Sequence, residues 1–419
     1  MSQVVFLTLY LGLVSGIQPV ALQADAEVKS IRIVIDGATV ATLTGAPWRD
    51  DVDFGPALLP HEVVAVGLDA NGKEIARATQ FVNVPRPFAE TEIVVDRDAA
   101  GRPLRAKLVV RHVARYRPTS VTLKLDDAPL SLGKEFDAII PPVDMKKPHL
   151  LSAQMRFADG ATARRELVFG GQFGDSAEAQ LTPVAVVRTS DAEPRGDCFA
   201  AVGAALHARS VDEPEAEVII VRDPDTSDVR AAYANTGTIY LDRNTFAQMF
   251  SPLPNAVRGG GEETQLFPTS SVWDVGKVDF FPILFRLSDP DAGERPRQFA
   301  DAVAVAGVQA AARGRRRAVL LLLSRREDVS DYAPAVVRRY LAALDVPLLV
   351  WAPFGVNPDE ARASWGEVED VSSRPKLMAA VARLRELLRR QRVAWLEADP
   401  ISALRAEVKA GCGYARLAR

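Results

Sequence analysis

Alternating apolar and polar positions dominate the first half of the chain. Residues 31–35 alternate in this way, the turn dipeptide Asp36-Gly37 follows, and residues 40–43 form a second extended run. A period of two, a turn dipeptide and a second extended run together predict a β-hairpin. The same pattern returns at residues 121–125, Asp126-Asp127 and residues 130–132, which indicates an internal repeat.

The length of the repeat indicates the kind of domain. His61 and His149 each begin an extended run, and they are 88 residues apart. Short strands with turns every ~8–12 residues, repeated at this spacing, are typical of immunoglobulin-like β-sandwiches. The sequence therefore predicts two all-β sandwiches, at residues 1–85 and 88–178. We interpret the two matched histidines as structural residues, because a ligand role would not explain their equivalence.

The N-terminal segment has two possible interpretations. Residues 4–14 are apolar and Ala24-Asp25-Ala26 would suit a cleavage site, as in a signal peptide. However, no Lys or Arg precedes Lys29, and Ser15-Gly16 and Pro19 suit a turn between two strands. We favour strands of the first sandwich. No stretch reaches the ~20 apolar residues of a membrane helix, so no membrane span is predicted.

From residue 181 the pattern changes to short apolar runs that alternate with helical segments. Strands are predicted at residues 184–187, 218–221, 318–323, 347–351 and 393–396. Helices are predicted at residues 198–207, 298–313, 334–344 and 376–392, and a hairpin or edge strand at 232–241. Residues 245–295 are left without an assignment. Alternating strands and helices indicate a doubly wound α/β domain at residues 181–419, with a parallel sheet covered by helices.

This second half resembles one known family. The string Gly314-Arg315-Arg316-Arg317, the apolar run that follows it to Ser324, and residues 346–350 are similar to segments of bacterial von Willebrand factor A-related (VWFA-related) proteins. The resemblance covers residues 181–419. It implies a von Willebrand A-like domain after two immunoglobulin-like domains, in an extracytoplasmic adhesion, scaffold or protein-binding protein.

The resemblance also implies where a metal site would lie. Such domains often bind Mg²⁺ or Mn²⁺ at the carboxyl ends of the strands, through a first loop Asp-x-Ser-x-Ser and a later Asp. Here Arg188 stands for the first Asp, Ala192 for the second Ser and Arg325 for the later Asp. Guanidinium groups repel a cation, so we expect no metal and no cofactor. The predicted binding rim of this degenerate metal site consists of Arg188, Thr189, Ser190, Asp191, Arg325, Arg326 and Asp328.

A basic rim suits a protein partner that carries carboxylates. In the alternative interpretation Arg188 and Arg325 pair with the nearby Asp191 and Asp328, and no ligand binds.

A second functional hypothesis rests on a different loop. Asp223 follows the predicted strand at residues 218–221, and Asp223-x-Asp225 resembles the first motif of haloacid-dehalogenase-like phosphatases. There the first Asp attacks phosphorus, the second is a general acid/base, and Mg²⁺ lies between them. Ser324 would supply the hydroxyl of the second motif. Ser227 does not match the residue that the phosphatase motif has at this position. In the structural alternative, the segment is an acidic Asp-Pro turn without a catalytic role.

Composition narrows the remaining possibilities. The chain has 419 residues, 48% hydrophobic and 25% charged, which is typical of two to four folded domains. A net charge of −3 gives no general attraction to nucleic acid, so we interpret the arginine-rich runs at 313–317 and 383–392 as solvated helix faces. Cys198 and Cys412 either form one disulfide or remain two thiols. The sequence predicts a non-enzymatic binding protein.

Overall fold

Strands predominate in the computed structural model of the chain. Of the residues that it describes, 44% lie in strands and 17% in helices. These residues are 3–10, 12–86, 89–98, 101–112, 115–158, 161–171, 177–179, 181–190, 198–201, 204–225, 233, 237–254, 267–285 and 296–417.

The first part of the chain is a β-sandwich. Its strands are β1 (Val4–Phe6), β2 (Ile17–Ala24), β3 (Ser30–Ile35), β4 (Ala38–Leu43), β5 (Arg49–Asp53), β6 (His61–Leu68) and β7 (Glu74–Val82). A sheet of order β4-β3-β6-β7 faces a sheet of order β1-β2-β5. Alternate side chains of β3 enter the core between them, where Ile31 and Ile33 are fully buried. Antiparallel pairing of β1 with β2 confirms the expectation of strands in the N-terminal segment.

The second part is another β-sandwich. Its strands are β8 (Ala89–Arg97), β9 (Pro103–His112), β10 (Pro118–Leu125), β11 (Ala128–Pro129), β12 (Asp137–Ile139), β13 (His149–Phe157), β14 (Thr162–Phe169) and β15 (Ala177–Ala179). The sheets have the orders β11-β10-β13-β14-β15 and β12-β9-β8. They share one apolar core, in which Leu151, Met155 and Phe169 are fully buried.

The two sandwiches share one local hydrogen-bond arrangement. In the first, Asp36 has a φ of 50° after β3, and its Oδ2 lies 2.7 Å from Nδ1 of His61. In the second, Asp126 has a φ of 48°, and its Oδ2 lies 2.7 Å from Nδ1 of His149. The other oxygen of each aspartate accepts the N–H of the residue after the histidine. Each histidine therefore ties the hairpin turn to the next strand, which agrees with a structural role.

The pair of His149 and Asp126 makes stability depend on pH. Burial raises the pKa of Asp126, but hydrogen bonds from His149 and the backbone outweigh burial and lower it. The hydrogen bond to Asp126 raises the pKa of His149, against the effect of burial. The lowered carboxyl pKa contributes stability above the unfolded value of about 3.9, and the raised imidazole pKa contributes it below about 6.5. The contribution is therefore largest between these two values.

We expect Asp126→Asn to lower the free energy of unfolding by about 1 kcal/mol near pH 5, because the pair is partly exposed. The loss should be smaller at about pH 3 and about pH 9. Urea unfolding at the three pH values measures it. The control is Asp98→Asn, which removes the ion pair between Asp98 and Arg102, a pair that contains no imidazole. An Asp126→Asn effect of equal size at about pH 5 and about pH 9 would contradict this prediction.

From residue 181 onward the chain combines a mostly parallel sheet with two antiparallel sheets. The strands are β16 (Leu181–Arg188), β17 (Phe199–Ala201), β18 (Ala204–Leu206), β19 (Ala208–Asp212), β20 (Ala216–Arg222), β21 (Thr245–Phe250), β22 (Trp273–Asp274), β23 (Arg316–Leu322), β24 (Leu348–Ala352), β25 (Glu369–Asp370), β26 (Gln391–Glu397), β27 (Glu407–Val408) and β28 (Tyr414–Arg416). The helices are α1 (Phe280–Phe285), α2 (Phe299–Ala312), α3 (Pro334–Ala343), α4 (Pro358–Trp365), α5 (Arg374–Arg390) and α6 (Pro400–Leu404). No helix in the described part of the chain is both long enough and apolar enough to cross a membrane.

The largest sheet has the order β22-β21-β20-β23-β24-β25. All of its strands run parallel except β22 at one edge. Every residue of β20 is buried, as expected for a strand covered on both faces. Helices α2, α3 and α4 cover one face, and α1 and α5 cover the other. The predicted strands at 218–221, 318–323 and 347–351 and the helices at 298–313, 334–344 and 376–392 are confirmed.

Two predicted strands lie outside this sheet. The runs at 184–187 and 393–396 belong to β16 and β26, which pair antiparallel with each other in a sheet of order β19-β26-β16-β28. Their assignment to the parallel sheet was wrong. An apolar run indicates that a strand is buried, but it does not indicate which strand it pairs with.

The predicted helix at 198–207 was also wrong. This segment contains β17 and β18, which pair with each other, and β17 also pairs with β27. Phe199 and Ala201 are buried on one side of β17, a period of two that a short alanine-rich run does not distinguish from a helix. The described residues 237–241 form no strand, so the predicted edge strand there was wrong, and residues 232 and 234–236 lie outside the described residues.

The arginine run at 313–317 is buried. Arg313 pairs with the buried Glu217, and Arg315 pairs with Glu215 at 2.8 Å. The fully buried Arg317 donates to the backbone carbonyls of Ala311, Leu344 and Asp345. The prediction of a solvated face was wrong for this run, because it connects the end of α2 to β23 within the interior, where carboxylates and carbonyls accept its hydrogen bonds. In α5, by contrast, the side chains of Arg383 and Arg389 are mainly exposed.

Candidate functional site at the carboxyl edge of the parallel sheet

The residues of the predicted binding rim lie in two different sheets. Arg188 ends β16, while Arg325 follows β23 of the parallel sheet. The amides of Thr189 and Ser190 donate to the carbonyl of Gly413, beside the disulfide between Cys198 and Cys412. Asp191 lies outside the described residues. Arg188 and Arg325 therefore do not share a sheet edge, and a rim that joins them was a wrong prediction.

The strand order identifies the edge where a site would form. The chain leaves β20 for β21 on one side and later returns to β23 on the other side. In open α/β sheets, ligands bind outside the carboxyl ends of strands at the place where the order reverses in this way. Asp223 and Asp225 follow β20, and Ser324, Arg325 and Arg326 follow β23. This edge brings together residues that the sequence analysis had assigned to two separate hypotheses.

Asp223 is at the centre of this edge and is almost completely buried. Its Oδ1 accepts Nε of Arg297 at 3.1 Å and lies 3.0 Å from an η nitrogen of the same guanidinium. The amide of Asp225 donates to the same oxygen at 3.0 Å. The other oxygen accepts the hydroxyl of Ser324 at 3.2 Å, and Arg326 lies 3.8 Å away. Protein donors therefore engage both carboxylate oxygens.

Arg297 is 0% exposed and Asp223 is 4% exposed, so this pair is desolvated on both sides. Arg297 lies just before α2, and its backbone bonds to the loop after β23 through Glu327 and Val329. Opposite charges in such an environment interact far more strongly than they do in water. The side chain of Arg297 is thus fixed by its own backbone as well as by the carboxylate it meets.

A second buried arginine, Arg222, bonds to the backbone at Asp223. Arg222 donates to the carbonyl of Ile283 and to that of Asp223, each at 2.8 Å. Burial lowers the pKa of Arg222 to about 10, and the charge of Asp223 opposes this change. The guanidinium remains charged at neutral pH. Further out, Arg326 lies 3.4 Å from Asp225, so this second carboxylate also has an arginine beside it.

Arg325 lies at the outer rim of the edge. Its Nε donates to the carbonyl of Gly355 at 2.9 Å, and the guanidinium lies flat against this residue. A β-carbon at position 355 would lie inside the guanidinium, and the φ of 84° also favours glycine there. Phe354, the preceding residue, is 51% exposed. The rim therefore presents an arginine and an aromatic ring to solvent.

Asp328, another residue of the predicted rim, has a structural role. Its Oδ1 accepts the amide of Phe299 at 3.0 Å, in the first turn of α2. The hydroxyl of Ser330 accepts the amides of Ala300 and Asp301. Together these oxygens satisfy amides that have no partner within the helix. The alternative interpretation of the rim required an ion pair between Asp328 and Arg325. Among the described residues, the structure shows no such pair.

Sequence reasoning missed Arg297 altogether. It stands alone between a proline and a glutamine, and no spacing or periodicity connects it with Asp223. Only the position of α2 against the end of β20 brings the two side chains together. Within the described ranges, no group of three or more His, Cys, Asp or Glu side chains forms a metal-binding arrangement.

No protein-family model matches the chain, and no curated protein matches it. Among solved structures it is similar to the fibronectin(III)-like modules of Clostridium thermocellum CbhA, with 12% identity and a TM-score of 0.17 over 40% of this chain and 93% of that one. It is similar to the central fibronectin-III array of RIM-binding protein, with 8% identity and a TM-score of 0.21 over 49% and 78% of the two chains.

A 1.5-MDa bacterial ice-binding adhesin, in a structure concerned with host cell surface retention, is a third similar protein. It has 12% identity and a TM-score of 0.16 over 46% of this chain and 68% of that one. At such scores the similarity does not support an argument about this chain.

Proposed function

We propose that the chain is a non-enzymatic binding protein whose C-terminal part, residues 181–419, is a von Willebrand A-like domain that uses an arginine in place of a metal ion. Residues 1–85 and 88–178 would be its two immunoglobulin-like domains. Asp223 follows the first strand of the parallel sheet, where the family's Asp-x-Ser-x-Ser loop would stand. In this alignment Asp225 stands where the family has its first Ser. Ser227 matches the second Ser of the loop and lies outside the described residues.

The contact between Arg297 and Asp223 is the observation that supports this proposal most strongly. A divalent cation needs carboxylate oxygens with available lone pairs. Here the buried guanidinium bonds to one oxygen of Asp223, and Ser324 bonds to the other. A cation would have to displace the buried guanidinium of Arg297, and the two positive charges would repel each other. The arginine thus supplies the charge that a metal would supply.

The same contact argues against the alternative of a Mg²⁺-dependent phosphohydrolase. An aspartate nucleophile must reach phosphorus with an accessible oxygen. The carboxylate of Asp223 is 4% exposed and is held by Arg297 and Ser324. Asp225, the acid/base of that hypothesis, lies beside Arg326. These contacts favour the binding protein over the phosphohydrolase.

Two further features support binding outside the cytoplasm. The disulfide between Cys198 and Cys412 is typical of proteins in oxidising compartments. Arg325 and Phe354 are exposed together at the rim, and arginine and aromatic side chains are enriched where protein partners bind. We propose that a protein partner with exposed carboxylates binds this rim.

We expect Mg²⁺ and Mn²⁺ to leave the melting temperature unchanged, and we expect no hydrolysis of a generic phosphate ester. A cation at about 100 times its dissociation constant would stabilise the fold by about 2.7 kcal/mol, which thermal unfolding detects easily. The measurements compare chelator-treated protein with and without each ion, and the wild type with Asp223→Asn in the hydrolysis assay. Stabilisation by either ion, or turnover that Asp223→Asn abolishes, would overturn the proposal.

A further inference from the structure

The two sandwiches are attached to the C-terminal part in different ways. We define the body as the first sandwich together with residues 181–417. Leu13, Leu58 and Val84 of the first sandwich belong to the apolar core that also covers one face of the parallel sheet. Asn83 is buried at their junction, where its carbonyl accepts the hydroxyl of Tyr340 at 2.9 Å. An apolar contact of this kind holds two domains in one arrangement.

In the part of the chain that the structure describes, no apolar cluster joins the second sandwich to the body. Among the described residues, its apolar core contains side chains from residues 89–169 alone, and no other apolar cluster includes any of them. Cavities of about 320 Å³ and 510 Å³ lie between this sandwich and the body. Both cavities are lined in part by Arg164 and Trp395, whose contact across the boundary therefore borders both of them.

Polar groups make this contact. The guanidinium of Arg164 donates to the hydroxyl of Ser210 at 2.8 Å, lies 3.5 Å from Asp212, and stacks 5.7 Å above the ring of Trp395. Arg156 reaches Glu215 at 3.5 Å. The hydroxyl of Thr162 in the second sandwich also donates to the carbonyl of Arg313. In the opposite direction, Arg209 of β19 lies 3.3 Å from Glu166.

We propose that these ion pairs form a latch, and that the second sandwich is an arm that swings away from the body when the latch opens. Partly exposed ion pairs weaken as salt screens them, whereas the apolar junction of the first sandwich does not. Polar interfaces between domains of one chain permit relative motion. Opening exposes Trp395 and the charged faces that the latch covers.

Distances between spin labels test this proposal in the full chain. The chain has two cysteines and they are bonded to each other, so introduced cysteines carry the labels. One pair joins Ile139→Cys in the second sandwich to Met378→Cys in the body, both at exposed positions. The reference pair joins Val40→Cys in the first sandwich to Met378→Cys. Salt is raised from about 0.1 M to about 1 M, which shortens the screening length from about 10 Å to about 3 Å.

The latch variant is Arg156→Met/Arg164→Met. Its matched control, Arg102→Met/Arg105→Met, removes the same charge from pairs that lie wholly within the second sandwich.

At about 0.1 M salt the wild type should give a narrow distance distribution for the pair at 139 and 378. We expect it to broaden at high salt and in the latch variant at low salt. The reference pair and the control variant should keep narrow distributions. The proposal is overturned if the distribution is broad in the wild type at low salt, if neither salt nor the latch variant changes it, or if the reference pair broadens equally.

Discussion

Replacing Arg297 with methionine lowers the free energy of unfolding by about 3–5 kcal/mol. Methionine fills much of the same space, but it leaves the carboxylate of Asp223 buried without its guanidinium. A buried charge that loses its partner carries the full desolvation penalty, which is why the expected loss is large. Chemical denaturation of the full chain measures it. Arg325→Met, the same substitution at an exposed position of the same edge, should change stability by about 0.5 kcal/mol or less.

A double-mutant cycle separates the ion pair from simple packing. Asp223→Asn keeps oxygen and size while it removes the charge, so Arg297→Met/Asp223→Asn contains neither member of the pair. We expect the double variant to be more stable than the sum of the single changes predicts, with a coupling energy of about 1–3 kcal/mol. Additive changes would mean that the two charges do not interact, and the proposed replacement of a metal by Arg297 would lose its basis.

Elements with strong local patterns were predictable from the sequence. The period of two in β3 and the apolar run of β23 gave correct strands, because each pattern reflects the burial of its own side chains. Pro334 marked the beginning of α3, where proline suits the first helical turn. The equivalence of His61 and His149 was also visible, since both begin matched strands.

Pairing between distant segments was not predictable. The run in β16 has the apolar character of a strand in a parallel sheet, yet its neighbours are β26 and β28, more than two hundred residues later. The apolar run of β16 predicted the first strand of the parallel sheet, and therefore a first loop at Arg188, whereas the first strand of that sheet is β20, which ends just before Asp223. Asp223 and Ser324 were identified only through the phosphatase hypothesis, and in the structure the hydroxyl of Ser324 donates to Oδ2 of Asp223 at 3.2 Å.

The disulfide gives the second large effect. We expect Cys198→Ala/Cys412→Ala to lower the free energy of unfolding by about 2–4 kcal/mol. The bridge joins residues 214 positions apart, so it restricts an unusually long loop of the unfolded chain. Alanine keeps the small apolar volume at position 198, which is completely buried beside Val184 and Phe199. The loss should therefore come mainly from the freedom of the unfolded chain.

A loss of stability that comes from the unfolded chain can be distinguished experimentally from one that comes from damage to the folded state. If the bridge acts through the unfolded chain, the variant should keep the circular dichroism of the wild type in the absence of denaturant while its unfolding midpoint falls. Reductant should lower the midpoint of the wild type by a similar amount and leave the variant unchanged. A variant with altered native spectra would instead mean that the bridge is needed to hold β17 against β27 and the C-terminal loop. Equal stability of the oxidised wild type, the reduced wild type and the variant would mean that the pairing of β17 with β27 closes the loop without the bridge.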